Sequence, residues 1–81
     1  MKARVYVSFK PTVLDPQGVA VRSALHSLGF DQVSDVRQGK FFEILLAGGL
    51  SAEEARRQVE AMAQDVLANP VIEDYRFELV E

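Results

Sequence analysis

Residues 2–9 alternate without a break. Ala3, Val5, Val7 and Phe9 fall on one side, and Lys2, Arg4, Tyr6 and Ser8 on the other. A period of two is what a β-strand needs when one face is buried and the other is wet. Pro11 lacks an amide donor and ends the run. A chain that begins this way must cover an apolar sheet face, and its later segments carry two helical patterns able to do so.

Asp15-Pro16 reads as a helix start, because the carboxylate can accept from free amides and proline suits the first turn. Ala20, Val21, Ala24, Leu25 and Leu28 then form one stripe over a helix at 16–28. Gly29 is the expected stop, with Phe30 folding back on Leu25. The second helix opens at Ser51-Ala52-Glu53-Glu54, a capping-box pattern. It continues through Ala55, Val59, Met62, Ala63, Val66 and Leu67 until Asn69-Pro70. Its Glu53/Arg57 and Arg56/Glu60 pairs read as a solvated face.

Between and after the helices lie three further strand patterns. Residues 33–37 are short and imperfect, two valines three apart suggesting a bulge. Residues 40–47 put Phe42, Ile44 and Leu46 on one face and Phe41, Glu43 and Leu45 on the other, until Gly48-Gly49. Residues 71–80 close the chain with Tyr75, Phe77 and Leu79 on one face. The order β-α-β-β-α-β predicts one α+β domain over 1–81, ferredoxin-like, with a four-stranded antiparallel sheet and both helices on one face. The other face would expose Tyr6, Phe41, Leu45 and Val80 as an apolar patch ringed by charge, a candidate subunit interface.

Several kinds of chemistry are excluded. The 81 residues contain no cysteine and one histidine, so neither a thiol nucleophile nor a multi-histidine metal cage can be built. A net charge of -3 argues against nucleic acid as a partner. Gly39-Lys40-Phe41 faintly echoes an RNA-recognition strand, but Glu43 sets a negative charge beside the ring and Phe42 faces away. No apolar run reaches the roughly 18 residues of a membrane span. The immediate strand leaves no room for a leader, so a cytoplasmic protein is expected. Glu53, Glu54, Glu60 and Asp65 share one helix without a second ligand set, and the serines lack a nucleophile elbow. His26 has no acidic neighbour on its helix to orient it as a base.

Three segments together carry a resemblance. They are Lys10-Pro11-Thr12-Val13-Leu14-Asp15-Pro16-Gln17-Gly18 running on to Ala24-Leu25-His26-Ser27-Leu28-Gly29-Phe30, then Asp35-Val36-Arg37-Gln38-Gly39-Lys40, then Asn69-Pro70-Val71-Ile72-Glu73-Asp74-Tyr75. In this order they resemble the PurS family, the small subunit of phosphoribosylformylglycinamidine synthase. Thr12, Gln38 and Gly48-Gly49 depart from the usual pattern. The resemblance implies a non-catalytic subunit in de novo purine biosynthesis. The synthase turns formylglycinamide ribonucleotide, ATP and glutamine into formylglycinamidine ribonucleotide, ADP, phosphate and glutamate. A glutaminase subunit releases ammonia and a large synthetase subunit uses it. The small subunit would form a homo-oligomer, dimer or tetramer, hold the two enzymes together and support ammonia transfer. It would carry no cofactor itself, ATP and magnesium belonging to the large partner. Asp35, Arg37 and Lys40 match the family's motif and are candidate partner contacts, with Arg22 and His26 beside them. The alternative is a regulatory module that binds a small molecule such as an amino acid, because this topology serves both roles.

Overall fold

The computed structural model describes residues 1–81. In chain order it contains β1 (Lys2–Phe9), α1 (Pro16–Ser27), β2 (Gly39–Leu45), α2 (Ala52–Met62) and β3 (Glu73–Val80). The sheet has three strands in the order β2-β1-β3, all antiparallel. The alternation of β1 sets everything around it. Val5 lies opposite Phe42 on one side and Phe77 on the other, while Tyr6 lies opposite Phe41 and Arg76. Ala3, Val5 and Val7 are fully covered, by Val59, Ala63 and Ala68 of the α2 region. Phe42, Ile44, Leu46, Tyr75, Phe77 and Leu79 flank that core and are only partly buried. The Tyr75 hydroxyl donates to Glu60 at 2.6 Å and ties β3 to α2.

Both helices begin as the sequence predicts. The Asp15 side chain accepts from the Gly18 amide at 3.0 Å. Ser51 accepts from the Glu54 amide at 3.1 Å, and its hydroxyl donates back to the Glu54 carboxylate at 3.3 Å. At the end of α1 the Phe30 amide bonds to the Leu25 carbonyl and the Gly29 amide to the His26 carbonyl, both at 3.0 Å. Gly29 sits at φ 93°, the left-handed cap that lets both bonds form.

The four-strand expectation is corrected to three. Residues 33–37 run without strand pairing, because the chain that returns from α1 lies against that helix instead. His26 Nε2 is 2.7 Å from the Val33 carbonyl, and a Cβ on Gly18 would collide with the Val36 carbonyl. The expectation of two helices over one sheet face is corrected as well. No residue of α1 joins the core, and only its Gly18 is buried. Val19, Val21 and Leu28 are 51%, 39% and 74% exposed. Helix α1 and the return segment 30–38 therefore form an arm that stands away from the body. The molecule measures 51 × 27 × 14 Å.

The end of α2 holds a second departure. Residues Ala63–Leu67 form a π turn, and the Ala68 amide bonds back to the Ala63 carbonyl at 2.9 Å. A wider turn absorbs one extra residue and rotates the chain beyond it. Val66, expected on the apolar stripe, points out at 79% exposure, while Leu67 and Ala68 turn inward.

Two substitutions check this architecture by urea unfolding. Gly18→Ala would gain about 1 kcal/mol in a free helix. Here the Val36 carbonyl blocks the new methyl, so a net loss of about 1–3 kcal/mol is expected, and a stabilised variant would refute the packing. Leu67→Ala should cost about 1–3 kcal/mol. Val66→Ala should stay within about 0.5 kcal/mol. The reverse ranking would mean that no π turn forms.

Candidate functional site

Three surfaces hold the residues singled out by the sequence. The first is the knuckle where the arm joins the body. Asp15 is 2% exposed and still ionised, since its two oxygens are divided between partners. One accepts from Gly18 and the other from the Gln38 amide at 2.7 Å. Those bonds, the Gly18 one foremost, hold its carboxyl below the usual carboxylate range, with Arg37 adding to them and burial opposing. Arg37 reaches across with one nitrogen to the Lys10 and Val13 carbonyls, both at 2.9 Å. The Gln38 side chain donates to Gln17. The chain thus leaves and re-enters the body through one cluster of hydrogen bonds.

Beside the knuckle lies a groove of about 460 Å³ lined by Phe9, Gln38, Lys40, Asn69, Ile72 and Glu73, among others. Glu73 is 9% exposed, accepts from the Asn69 amide at 2.8 Å and pairs with Lys40 at 3.2 Å. The amide bond first, and then Lys40, keep its carboxyl low against the opposing effect of burial. Of the three motif residues, only Lys40 lines this groove. Asp35 caps the neighbouring Val36 amide at 2.9 Å, and Arg37 clamps the turn at 10–13. Asp35 and Arg37 line a second, adjoining groove with Pro11 and Asp74, which Lys40 does not line. Sequence reasoning missed the reach of Asp15 beyond its helix and the burial of Glu73. An acid at the first position of the strand, three residues after Pro70, was the available signal.

The second surface is the open face of the sheet. Tyr6 and Phe41 stack with centroids 5.1 Å apart, and the Arg76 guanidinium lies 4.1 Å above Tyr6. The Tyr6 hydroxyl donates to Glu78 at 3.2 Å. Leu45 and Val80 sit at the far end, opposite Lys2 on either side. A row of charge separates the two ends. Arg4 bridges Glu43 and Glu78, and Lys2 reaches Glu43, each at 3.6 Å. Pairs this exposed contribute about 0–1 kcal/mol each. The expected ring of charge is therefore a band across the middle, with Phe41 and Leu45, 55% and 77% exposed, as the apolar ends.

The third surface is the arm. His26 is half-buried and spends its Nε2 on the Val33 carbonyl, which pins the return segment to the helix. Arg22 is exposed. No group of three or more metal-ligating side chains occurs, and no helix is long and apolar enough to cross a membrane.

A pH series tests the knuckle. Because Asp15 and Glu73 titrate below the usual carboxylate range in the folded state, the stability they contribute is complete above about pH 5 and lost as pH falls below about 4. Melting midpoints should be flat near neutrality and drop in acid. Asp15→Asn offers one oxygen where two amides need acceptors, so it should lower the midpoint at pH 7 and flatten the acid slope. An unchanged slope would show that Asp15 is not held as described.

Comparison with known proteins adds a finding about the whole chain. The family model described as PurS, phosphoribosylformylglycinamidine (FGAM) synthase, matches residues 2–81. The phosphoribosylformylglycinamidine synthase subunit PurS of Bacillus subtilis is 49% identical over 80 residues, covering 99% of this chain and 93% of that protein. The PurS subunit of Methanocaldococcus jannaschii is 38% identical, covering 96% and 93%. The solved B. subtilis PurS superposes with a TM-score of 0.84, covering 99% of this chain and 98% of the other. A chain in the structure of PurLQS from Thermotoga maritima superposes at 0.86 with 26% identity, covering 95% and 93%.

Proposed function

The chain belongs to the PurS family of phosphoribosylformylglycinamidine synthase subunits, and from that footing we propose how it serves the synthase. It is a non-catalytic small subunit in de novo purine biosynthesis. It holds a glutaminase subunit and a large synthetase subunit in one assembly, so that ammonia freed at one site reaches the other. The observation that carries this reading is the superposition on a chain of the Thermotoga PurLQS structure, with 95% of this chain covered. An arm of more than twenty residues set at another angle could not superpose so closely. The fold of this chain thus matches that of a chain in such an assembly.

The chemistry of the surfaces supports the same role. Both buried carboxylates are occupied, Asp15 by two amides and Glu73 by an amide and Lys40. ATP and magnesium belong, in this proposal, to the large partner. The exposed Phe41, Leu45, Val19 and Leu28 suit contacts with other chains. A homo-oligomer, dimer or tetramer, is part of the proposal, with Tyr6, Phe41, Leu45 and Val80 as self-contacts. Asp35, Arg37 and Lys40 at the knuckle, with Arg22 and His26 on the arm, remain the proposed partner contacts. The setting is cytoplasmic.

Reconstitution tests it. Glutamine-dependent formation of formylglycinamidine ribonucleotide by the two large subunits should depend on this chain, and the three should co-elute on sizing. Equal rates without it, together with no complex, would refute the role.

A further inference from the structure

We propose that the groove beside the knuckle binds a small free amino acid whose side chain ends in a carboxamide. Holding subunits together needs no such ligand, so this goes beyond the role above and concerns the chain alone. Special features of the fold converge on this one place. The groove measures about 460 Å³, within the range of small-molecule sites. Glu73, one of the two buried charged residues, lines it. The π turn Ala63–Leu67 lies just before Asn69, which lines it too. Such turns inside helices occur often at functional sites.

The hydrogen-bonding groups left unspent say what would bind. Gln38 donates through Nε2 to Gln17 Oε1, which leaves Gln17 Nε2 and Gln38 Oε1 without partners in the chain. A donor and an acceptor side by side complement a primary carboxamide, which offers one of each. Asn69 accepts the Val71 amide on Oδ1 and keeps both Nδ2 hydrogens. Lys40 pairs with Glu73 at 3.2 Å and keeps two further hydrogens. Those donors suit a carboxylate. Each Glu73 oxygen has one partner, the Asn69 amide or Lys40, and retains a lone pair for an ammonium group. Phe9 and Ile72, the two apolar lining residues, suit a short aliphatic stretch. Charge agrees with this reading. Lys40 and Glu73 cancel each other, so a zwitterion adds no net charge to the groove. A phosphate would meet one cation already paired with an acid, and no cluster of metal-ligating side chains exists to hold a metal ion.

Titration of the isotope-labelled chain decides it. Glutamine or asparagine should shift the backbone amides around Gln38–Lys40 and Asn69–Glu73 saturably, with a dissociation constant on the order of 1 mM for so small a ligand. Glutamate should bind about tenfold more weakly, because it brings an acceptor where Gln38 Oε1 needs a donor. Alanine should be weaker by a similar factor, since it leaves both glutamines unanswered. Gln17→Met/Gln38→Met should erase the preference for glutamine over glutamate. Both side chains are exposed, so the melting midpoint should hold. A merely structural pair would move the midpoint and not the preference. Three results would overturn the proposal: no saturable shift with any of these amino acids, equal binding of glutamate and glutamine, or shifts centred away from the groove. Should the double variant misfold, the comparison of ligands on the wild-type chain decides alone. Reconstitution with the large subunits reads the assembly role separately, so the two can fail independently.

Discussion

A single carboxylate settles the shape of this molecule. Asp15 gives one oxygen to the first turn of α1 and the other to the backbone at Gln38, where the chain returns. An ordinary helix cap satisfies amides of its own helix only. Here the cap also joins two points more than twenty residues apart, and it is buried while doing so. Burial costs a carboxylate its hydration, and the two amides and nearby Arg37 offset that cost. The result is an arm whose direction is set at its base, with no support further out.

The body beneath it is small. The apolar residues that are fully covered are alanines and valines, and the larger Phe42, Ile44, Phe77 and Leu79 are covered in part. A domain of this size removes only about 60–65% of its unfolded surface from water. Without a disulfide, its stability depends on a short sheet, one helix and the buried carboxylates Asp15 and Glu73.

Much of this was legible in the residues. The alternation of β1 fixed which side chains face α2, and the caps at Asp15, Ser51 and Gly29 formed where their chemistry required. Periodicity could not say which sheet an apolar stripe would cover. The stripe on α1 is real, but its root points it away from its own sheet. Val33 and Val36 have strand-like character, yet strand pairing needs a neighbour, and the nearest element is a helix. Val66 leaves the apolar stripe because a π turn carries no composition mark and shifts the count by one residue. On the open face alternation alone places the apolar and charged positions, and cross-strand register makes the charges a band rather than a rim.

The knuckle also frees the arm's length from the rest of the molecule. Outgoing and returning chains meet at one place, so a helical turn inserted in α1, matched by extra residues on the way back, would move the Gly29 tip outward by about 5.4 Å and disturb no strand. Reach can thus vary among such subunits without redesign of the sheet, as the span of a clamp changes with its jaw and not its screw.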